Sequence, residues 1–422
     1  MTSASDIDAA RSGSPAGGDM NSVRITVQAI VMVVIVVRCV MAMLVPGLRQ
    51  PGWPDVLVGL VAAAAIVFLA TTRRPTRARG WAAVAVTAFW GSTTFSALLH
   101  GQGIPVASVA MALVAAALIL GPPLSPWPLR ISVLTGAVVA VLSLVAGLLG
   151  LLGVVKGPLY GTAVYQRETL GLPALSGIAG HPNTLAQILG LALLIAAAIA
   201  LANRRIGAVI LPLVILLPLL WTQSRTSVAA AVACVVLLLL QIRWPAMRPY
   251  VVGGALVAAV LPPMVHFAVG RVLDVNSVFN GRPIAWDTGR FVVSLSPITG
   301  SGPEVMSEDF WEVLGRSRTD GAGWLPLHAH NEVIETIAQS GVVGVVTLLG
   351  VVLVGVTAAL QRSGSNAALA AATLVFLGLQ AGVEVPLGLT YFPIGFLLPA
   401  MAVAVLAYGG PLEWRRLRPG PG

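Results

Sequence analysis

Long runs of hydrophobic residues divide this chain into apolar blocks separated by short polar segments. The blocks are roughly 17–25 residues long, the length that an α-helix needs to cross about 30 Å of hydrocarbon. The pattern therefore predicts an all-α membrane protein with about twelve transmembrane helices. We place these helices near residues 24–45, 55–71, 81–99, 104–120, 130–152, 183–202, 206–221, 225–242, 249–269, 332–358, 366–384 and 389–408.

The polar segments complete the predicted organisation. The first apolar run is too long for the core of a signal peptide, so we expect it to remain as a membrane anchor. A disordered tail is predicted at 1–23, helices one to nine at 24–269 with a loop at about 154–182, a large loop at 270–331, helices ten to twelve at 332–408, and a basic tail at 409–422.

Charge sets the predicted orientation, because arginine and lysine accumulate on the cytoplasmic side of a membrane. Short basic turns such as 73–79 and 203–205 share one side, which we take as cytoplasmic, together with both termini. The two long polar loops then fall outside the membrane, along with most acidic residues. We therefore expect a multi-pass protein of the cytoplasmic membrane with an extracytoplasmic active site.

Composition supports the membrane class. Hydrophobic residues make up 57% of the 422 residues and charged residues 10%, whereas a soluble domain carries about 25% charged residues. The net charge of +9 does not indicate a nucleic-acid partner, because the cations are spread through short loops. Cys39 and Cys234 lie in predicted membrane helices, so no disulfide framework is implied.

Three predicted helices begin at the outer face with polar clusters: Gly180–Asn183, Thr222–Arg225 and His328–Asn331. The N-terminal end of a helix carries partial positive charge and unpaired N–H groups, which suit phosphate. Pro182 fits the first helical turn, where a missing N–H costs nothing. The arrangement favours a phosphate-bearing ligand at the outer face.

His330 opens the strongest motif, which continues with Asn331 and ends at Gly341 and Gly344. The start of a helix disfavours a protonated imidazole, so a neutral ring that accepts a proton is one interpretation. A capping or simply hydrogen-bonded histidine is the other interpretation, and the pattern leaves both open. The two glycines lie one turn apart and are predicted to let another helix approach closely.

A metal site is another interpretation, because His328, His330 and Glu332 alternate along the chain. A helix that begins here would separate these side chains. Further ligands at the usual spacing are missing from the sequence, so a metal site is not the favoured interpretation.

Arg225 lies in the short polar segment between two long apolar segments. Ionisable residues at membrane depth are costly, so Arg225 is a functional candidate. The alternative is a side chain that reaches the outer interface without a specific role. That alternative fits Arg38 better, because Arg38 lies within the first predicted helix near the outer surface.

The large loop places Arg282, Trp286 and Arg290 four residues apart, on one stripe of a helix. A guanidinium offers forked donors suited to phosphate oxygens, and an indole could stack on a sugar. The alternative is an amphipathic helix resting on the membrane. Gly300 and Gly302, which follow Pro297, predict a turn.

The earlier outer loop contains Arg167 among charged and aromatic residues, and a solvated loop is the favoured interpretation there.

Taken in order, four stretches resemble the O-antigen ligase and O-antigen polymerase superfamily. They are 175–186, Ser224-Arg225, 281–286, and His330-Asn331 followed after nine residues by Gly341 and Gly344. The sequence contains no Walker loop, Rossmann fingerprint or Asp-x-Asp motif, which argues against nucleotide-dependent chemistry.

The resemblance implies transfer of a glycan from a polyprenyl diphosphate carrier to an acceptor hydroxyl, without metal or cofactor. By matching position, His330 would be the general base, and Arg225 and Arg282 would bind the diphosphate. The acceptor would be a glycan, lipid or protein. Further substrate contacts are expected from Arg167, His181, Asn183, Trp286, Arg290, His328 and Asn331.

Two questions stay open at this point. Val345 and Val346 stand where ligases of the family often carry polar residues, so a polymerase is as compatible with the sequence as a ligase. The alternative from another functional class is a transporter that flips lipid-linked oligosaccharide. A transporter would favour charges at the bilayer midplane, whereas here the polar residues collect at one mouth of the predicted bundle.

Overall fold

The computed structural model describes residues 16–45, 48, 52–72, 75–152, 173–203, 206–269, 282–305, 328–388, 396–410 and 412. Over these residues the chain is α-helical, with short connecting turns and no extended strand. The helices are α1 (Ala16–Leu44), α2 (Trp53–Thr72), α3 (Arg77–Leu99), α4 (Val106–Leu120), α5 (Trp127–Leu151), α6 (Pro182–Asn203), α7 (Ile206–Trp221), α8 (Arg225–Arg243), α9 (Arg248–Val269), α10 (Arg282–Leu295), α11 (Glu332–Gln361), α12 (Gly364–Ala381) and α13 (Leu397–Ala407).

Within these ranges, nine helices are long and apolar enough to cross a membrane. Three shorter apolar helices, α4, α7 and α13, fall where the fourth, seventh and twelfth segments were predicted. The all-helical class and the multi-pass membrane character are confirmed, while the count of twelve spans stays a prediction. The predicted large loop contains one described helix, α10.

Helices α6 and α12 are the most deeply buried long apolar helices of the described chain. Both are rich in alanine, and α12 packs against α6, α8, α9 and α11. Small residues let neighbouring helices approach closely, which is how membrane helices gain packing energy. At Gly190 of α6, an added Cβ would lie 2.7 Å from the ring of Phe376 on α12. These two helices form the centre around which the others are arranged.

Arg38 is held by an ion pair rather than reaching the surface alone. Its Nε lies 2.9 Å from Oδ1 of Asp55, and its Nη2 lies 3.1 Å from Oδ2. Both side chains are almost fully buried, and they join α1 to the start of α2. The sequence interpretation of Arg38 as a residue that reaches the interface is wrong, because its charge is neutralised by a forked contact within the protein.

Helix α11 is broken at Gly341, whose φ of 62° and ψ of −155° are not helical. The segment 296–302 fits into the break: the N–H of Ser301 donates to the carbonyl of Ala338, and the N–H of Val342 donates to that of Pro297. A Cβ on Gly341 would overlap the carbonyl of Ile298. The glycine was predicted to admit another helix; the structure shows that it admits this turn instead.

Helix α10 packs along α11 and is amphipathic, as its spacing predicted. Its apolar side buries Trp286 and Val292 against Ile334 and Ala338 of α11. This small satellite core fixes the position of α10 beside the start of α11, where the candidate site lies.

Candidate functional site

The starts of α6, α8 and α11 converge, and their polar residues are in direct contact or share a common partner. Pro182 is the first residue of α6, as predicted, and Asn183 follows it. Ser224 precedes α8, and its hydroxyl donates to Oδ1 of Asn183 over 3.0 Å. At the third start, Asn331 caps α11 by accepting hydrogen bonds from the N–H groups of Val333 and Ile334.

Glu384, just beyond the end of α12, joins these helix starts. Its Oε1 accepts hydrogen bonds from Nη2 of Arg282 at 2.6 Å and from Nδ2 of Asn183 at 2.9 Å. Its Oε2 lies 3.2 Å from Nδ1 of His330. Nε of Arg282 also donates to the carbonyl of Val383 over 2.6 Å. One buried carboxylate thus holds three of the residues that the sequence pointed to.

The charge state of Glu384 determines the tautomer of His330. Burial alone would raise the pKa of Glu384, but the hydrogen bond with His330, the charge of that ring when it is protonated and the charge of Arg282 hold it well below its ordinary value. An ionised carboxylate only accepts hydrogen bonds, so Nδ1 of His330 carries the hydrogen. Nε2 has no hydrogen-bond partner among the described residues, and in the neutral ring it carries the lone pair.

The backbone around His330 is constrained. His330 has a φ of 48°, in the left-handed region, which costs a residue with a side chain on the order of 1 kcal/mol. Its carbonyl accepts a hydrogen bond from Nε1 of Trp286 over 3.3 Å. Nδ2 of the fully buried Asn331 donates to carbonyls at the end of α12 (Ala381 and Gly382) and to Ala259. The hydrogen bonds of Trp286 and Asn331 hold the backbone in this strained conformation, and these two residues therefore position the His330 ring.

His328 lies against His330, with ring centroids 3.6 Å apart. Its Nδ1 accepts a hydrogen bond from the N–H of His330. Burial, and then the neighbouring His330, lower the pKa of His328 to about 3. A ring with this pKa stays neutral at ordinary pH and is a poor proton acceptor.

A chain of polar side chains leads from the site into the bundle. The hydroxyl of Ser224 contacts that of Ser227 at 3.2 Å, and Ser227 donates to Oε1 of Gln380 on α12 over 3.1 Å. This chain ties the N-terminal turn of α8 to α12, and through Ser224 it also holds Asn183.

The remaining sequence candidates lie at the edge of the cluster or outside it. Arg225, the first residue of α8, is exposed and makes no hydrogen bond to any residue in the described ranges. His181 is exposed, and its Nδ1 accepts from the N–H of Asn183. Arg290 is exposed and lies over the ring of Phe267. Arg167 lies outside the described residues.

His328, His330 and Glu384 could together offer a metal three ligand atoms, all within 4.8 Å of one another. The guanidinium of Arg282, 2.6 Å from the same carboxylate, already neutralises its charge and repels a cation. Glu332, the acidic residue of the sequence-based metal hypothesis, instead accepts a hydrogen bond from the N–H of Leu387. The arrangement favours a hydrogen-bonded histidine over a metal ligand.

Glu384 was not among the residues chosen from the sequence. It follows an apolar segment closely, and its only signal was that an acidic residue at a helix end in a membrane protein is unusual. The sequence predicted that helix starts and arginines would attract an anion. The structure brings the protein's own carboxylate to that place.

Comparison with known proteins gives one family match. Residues 190–349 match the model of a family described as O-antigen ligase. This segment includes Ser224-Arg225, Arg282 and the motif from His330 to Gly344. A search of curated proteins gave no match to the chain. Residues 190–349 are therefore similar to the O-antigen ligase family, and this match supports the resemblance to the O-antigen ligase/polymerase superfamily that the sequence motifs indicate.

Proposed function

We propose that this protein transfers a glycan from a polyprenyl diphosphate carrier to an acceptor hydroxyl at the outer face of the cytoplasmic membrane, with His330 as the general base and without a metal. The family match supports glycan transfer of the O-antigen ligase or polymerase type. The observation that carries the finer proposal is the His330–Glu384 contact, which leaves Nε2 as the available proton acceptor.

In the proposed reaction, the acceptor oxygen attacks the anomeric carbon of the carrier-linked sugar. The bond from that carbon to the diphosphate oxygen breaks, and the diphosphate leaves with the electron pair. The acceptor proton passes to Nε2 of His330, directly or through one water. Ionised Glu384 stabilises the imidazolium that forms. A displacement of this kind inverts the anomeric centre.

The diphosphate is assigned to the N-terminal end of α8. Arg225 is exposed there, and the helix start adds partial positive charge from its N–H groups. Arg282 is already paired with Glu384. We therefore place Arg282 at the edge of the diphosphate site, on the side nearer the acceptor. Its positive charge would offset the charge that develops on the leaving group.

A transporter of lipid-linked oligosaccharide is the competing function. The test uses purified protein in vesicles with a polyprenyl-diphosphate oligosaccharide, an acceptor glycan from the producing cell and a strong chelator. Transfer to the acceptor in the presence of chelator is the expected result. Movement of the donor across the bilayer without transfer would replace the proposal with the transporter, and transfer that the chelator abolishes would refute the metal-independent mechanism.

A further inference from the structure

A second polar feature lies beside the proposed catalytic cluster. A cavity of about 350 Å³ opens between the outer ends of α3, α4 and α11, where "outer" follows the proposed orientation. This volume lies in the range of about 300–1,000 Å³ typical of small-ligand sites. Lining residues that matter here are Trp90, Ser108, Glu332, Glu335, Thr336 and Gln339.

Two residues that line this cavity carry hydroxyl groups without a hydrogen-bond partner among the described residues. Ser108 and Thr336 line it and are only 4% and 6% exposed. Neither hydroxyl makes a hydrogen bond to any residue in the described part of the chain. Two such groups facing one cavity indicate a ligand with its own donors and acceptors.

The carboxyl groups of the cavity are held in place by the protein. Oε2 of Glu335 accepts from the N–H of Ala329, and its Oε1 accepts from Nε2 of Gln339 over 2.8 Å. Oε2 of Glu332 accepts from the N–H of Leu387, whose carbonyl accepts from Nε1 of Trp90. Preorganised acceptors beside an indole ring suit the hydroxyls and the apolar face of a sugar.

The charged residues of the cavity and of the neighbouring cluster indicate which of the two reactants, the acceptor or the diphosphate donor, binds in each place. Glu304, Glu332 and Glu335 line it, whereas no arginine, lysine or histidine does among the described residues. Without a cationic side chain in the lining, a diphosphate would find no counter-charge there, so its binding in the cavity is disfavoured. Arg282 belongs to the neighbouring cluster instead, and Arg225 follows Ser224 at the edge of that cluster. The cavity adjoins that cluster through two chain segments, since Glu332 follows His330 by two residues and Leu387 follows Glu384 by three.

We propose that this cavity binds the acceptor, through an uncharged sugar ring whose hydroxyls donate to Glu332 and Glu335 and pair with Ser108 and Thr336. That the bound sugar is the acceptor of the transfer rests on the proposed function. The binding of a sugar in the cavity does not depend on that function and can be tested separately. The placement would bring an acceptor hydroxyl toward His330 while the donor diphosphate stays on the arginine side.

The test is a binding measurement that needs no turnover. Saturation-transfer NMR is recorded on the full chain in nanodiscs with methyl glycosides of glucose, galactose, mannose, rhamnose and N-acetylglucosamine. We expect at least one glycoside to bind. The double variant Ser108→Ala with Thr336→Val should weaken its binding about tenfold or more, since two hydrogen bonds are removed.

The matched control is Ser96→Ala with Thr373→Val, two buried hydroxyl residues outside the cavity, which should bind as the wild type does. Glu335→Gln should also weaken binding. Geranyl diphosphate should bind without displacing the glycoside. Absence of any glycoside binding, unchanged binding in the cavity variants, or displacement by geranyl diphosphate would each overturn the inference. Absence of glycan transfer alone would instead count against the proposed function.

Discussion

Nδ1 of His330 lies 3.2 Å from Oε2 of Glu384, while Oε1 of the same carboxyl group accepts a hydrogen bond from Arg282. His330 stands just before α11 and Glu384 just after α12, so the contact joins the start of one helix to the end of another. The carboxylate therefore orients the imidazole and neutralises the guanidinium at once.

Replacing Glu384 by glutamine should slow glycan transfer far more than it destabilises the protein. The amide keeps the shape of the side chain but carries no charge to stabilise an imidazolium or to pair with Arg282. We expect transfer to fall by roughly 100-fold or more, within the range that positioned proton transfer contributes. Initial rates and melting temperatures of both proteins check this. Transfer within a factor of two of wild type would remove Glu384 from the mechanism.

The same variant should show a pH-dependent difference in stability. Folding lowers the pKa of Glu384 below its ordinary value, so its contribution is fully present above the ordinary carboxyl pKa and is lost as pH falls through the folded pKa. The wild type should melt above Glu384→Gln by a constant margin at neutral pH, and the margin should shrink below about pH 5. Melting curves recorded across this range measure it, and a margin that does not change with pH would contradict the ion-pair assignment.

Arg225 should matter for the donor and not for the fold. Arg225→Ala should weaken binding of a polyprenyl diphosphate about tenfold or more, because a charge-assisted contact to phosphate is removed. Arg243→Ala is the matched control, since this exposed arginine ends the same helix at its other end. Titration with geranyl diphosphate at low salt compares the two variants. Equal losses would mean that the diphosphate does not bind at the start of α8.

Gly341 should tolerate no side chain. Its left-handed φ and the carbonyl of Ile298 both oppose a Cβ, so Gly341→Ala should destabilise the protein by more than about 1 kcal/mol. Gly253→Ala, in the exposed interior of α9 with no atom near the added Cβ, should instead be neutral or stabilising. The melting temperatures of the two variants, measured in one detergent, test this difference in stability. A Gly341→Ala protein as stable as the wild type would show that the turn at 296–302 does not depend on this glycine.

The sequence predicted the helices well, because hydropathy alone governs which segments enter a bilayer. It also selected Arg225, Arg282 and His330, since polar residues beside apolar runs are conspicuous. It did not reveal Glu384, whose importance depends on three-dimensional contacts with residues 54 to 201 positions away. Trp286 shows the same limit: its helical spacing was correct, but only the structure shows that its indole is buried against the His330 carbonyl.

The cavity beside the cluster was equally hidden. The spacing of Glu332 from two histidines suggested a metal ligand, yet its carboxyl group accepts a hydrogen bond from Leu387 and lines the cavity. Only Glu332 belongs to α11, whereas both histidines lie in the segment before it, where the left-handed φ of His330 breaks any regular alternation of side chains. Distances between segments far apart in the chain cannot be obtained from one sequence by periodicity.

The most direct test of the account compares two neighbouring histidines in one transfer assay. Purified wild type, His330→Ala and His328→Ala receive the same polyprenyl-diphosphate oligosaccharide and acceptor glycan in the presence of chelator. We predict that His330→Ala loses roughly 100-fold or more of the transfer rate, whereas His328→Ala, whose ring is a poor base, loses less than about tenfold. Full transfer by His330→Ala, or a larger loss in His328→Ala than in His330→Ala, would contradict the central claim that His330 activates the acceptor.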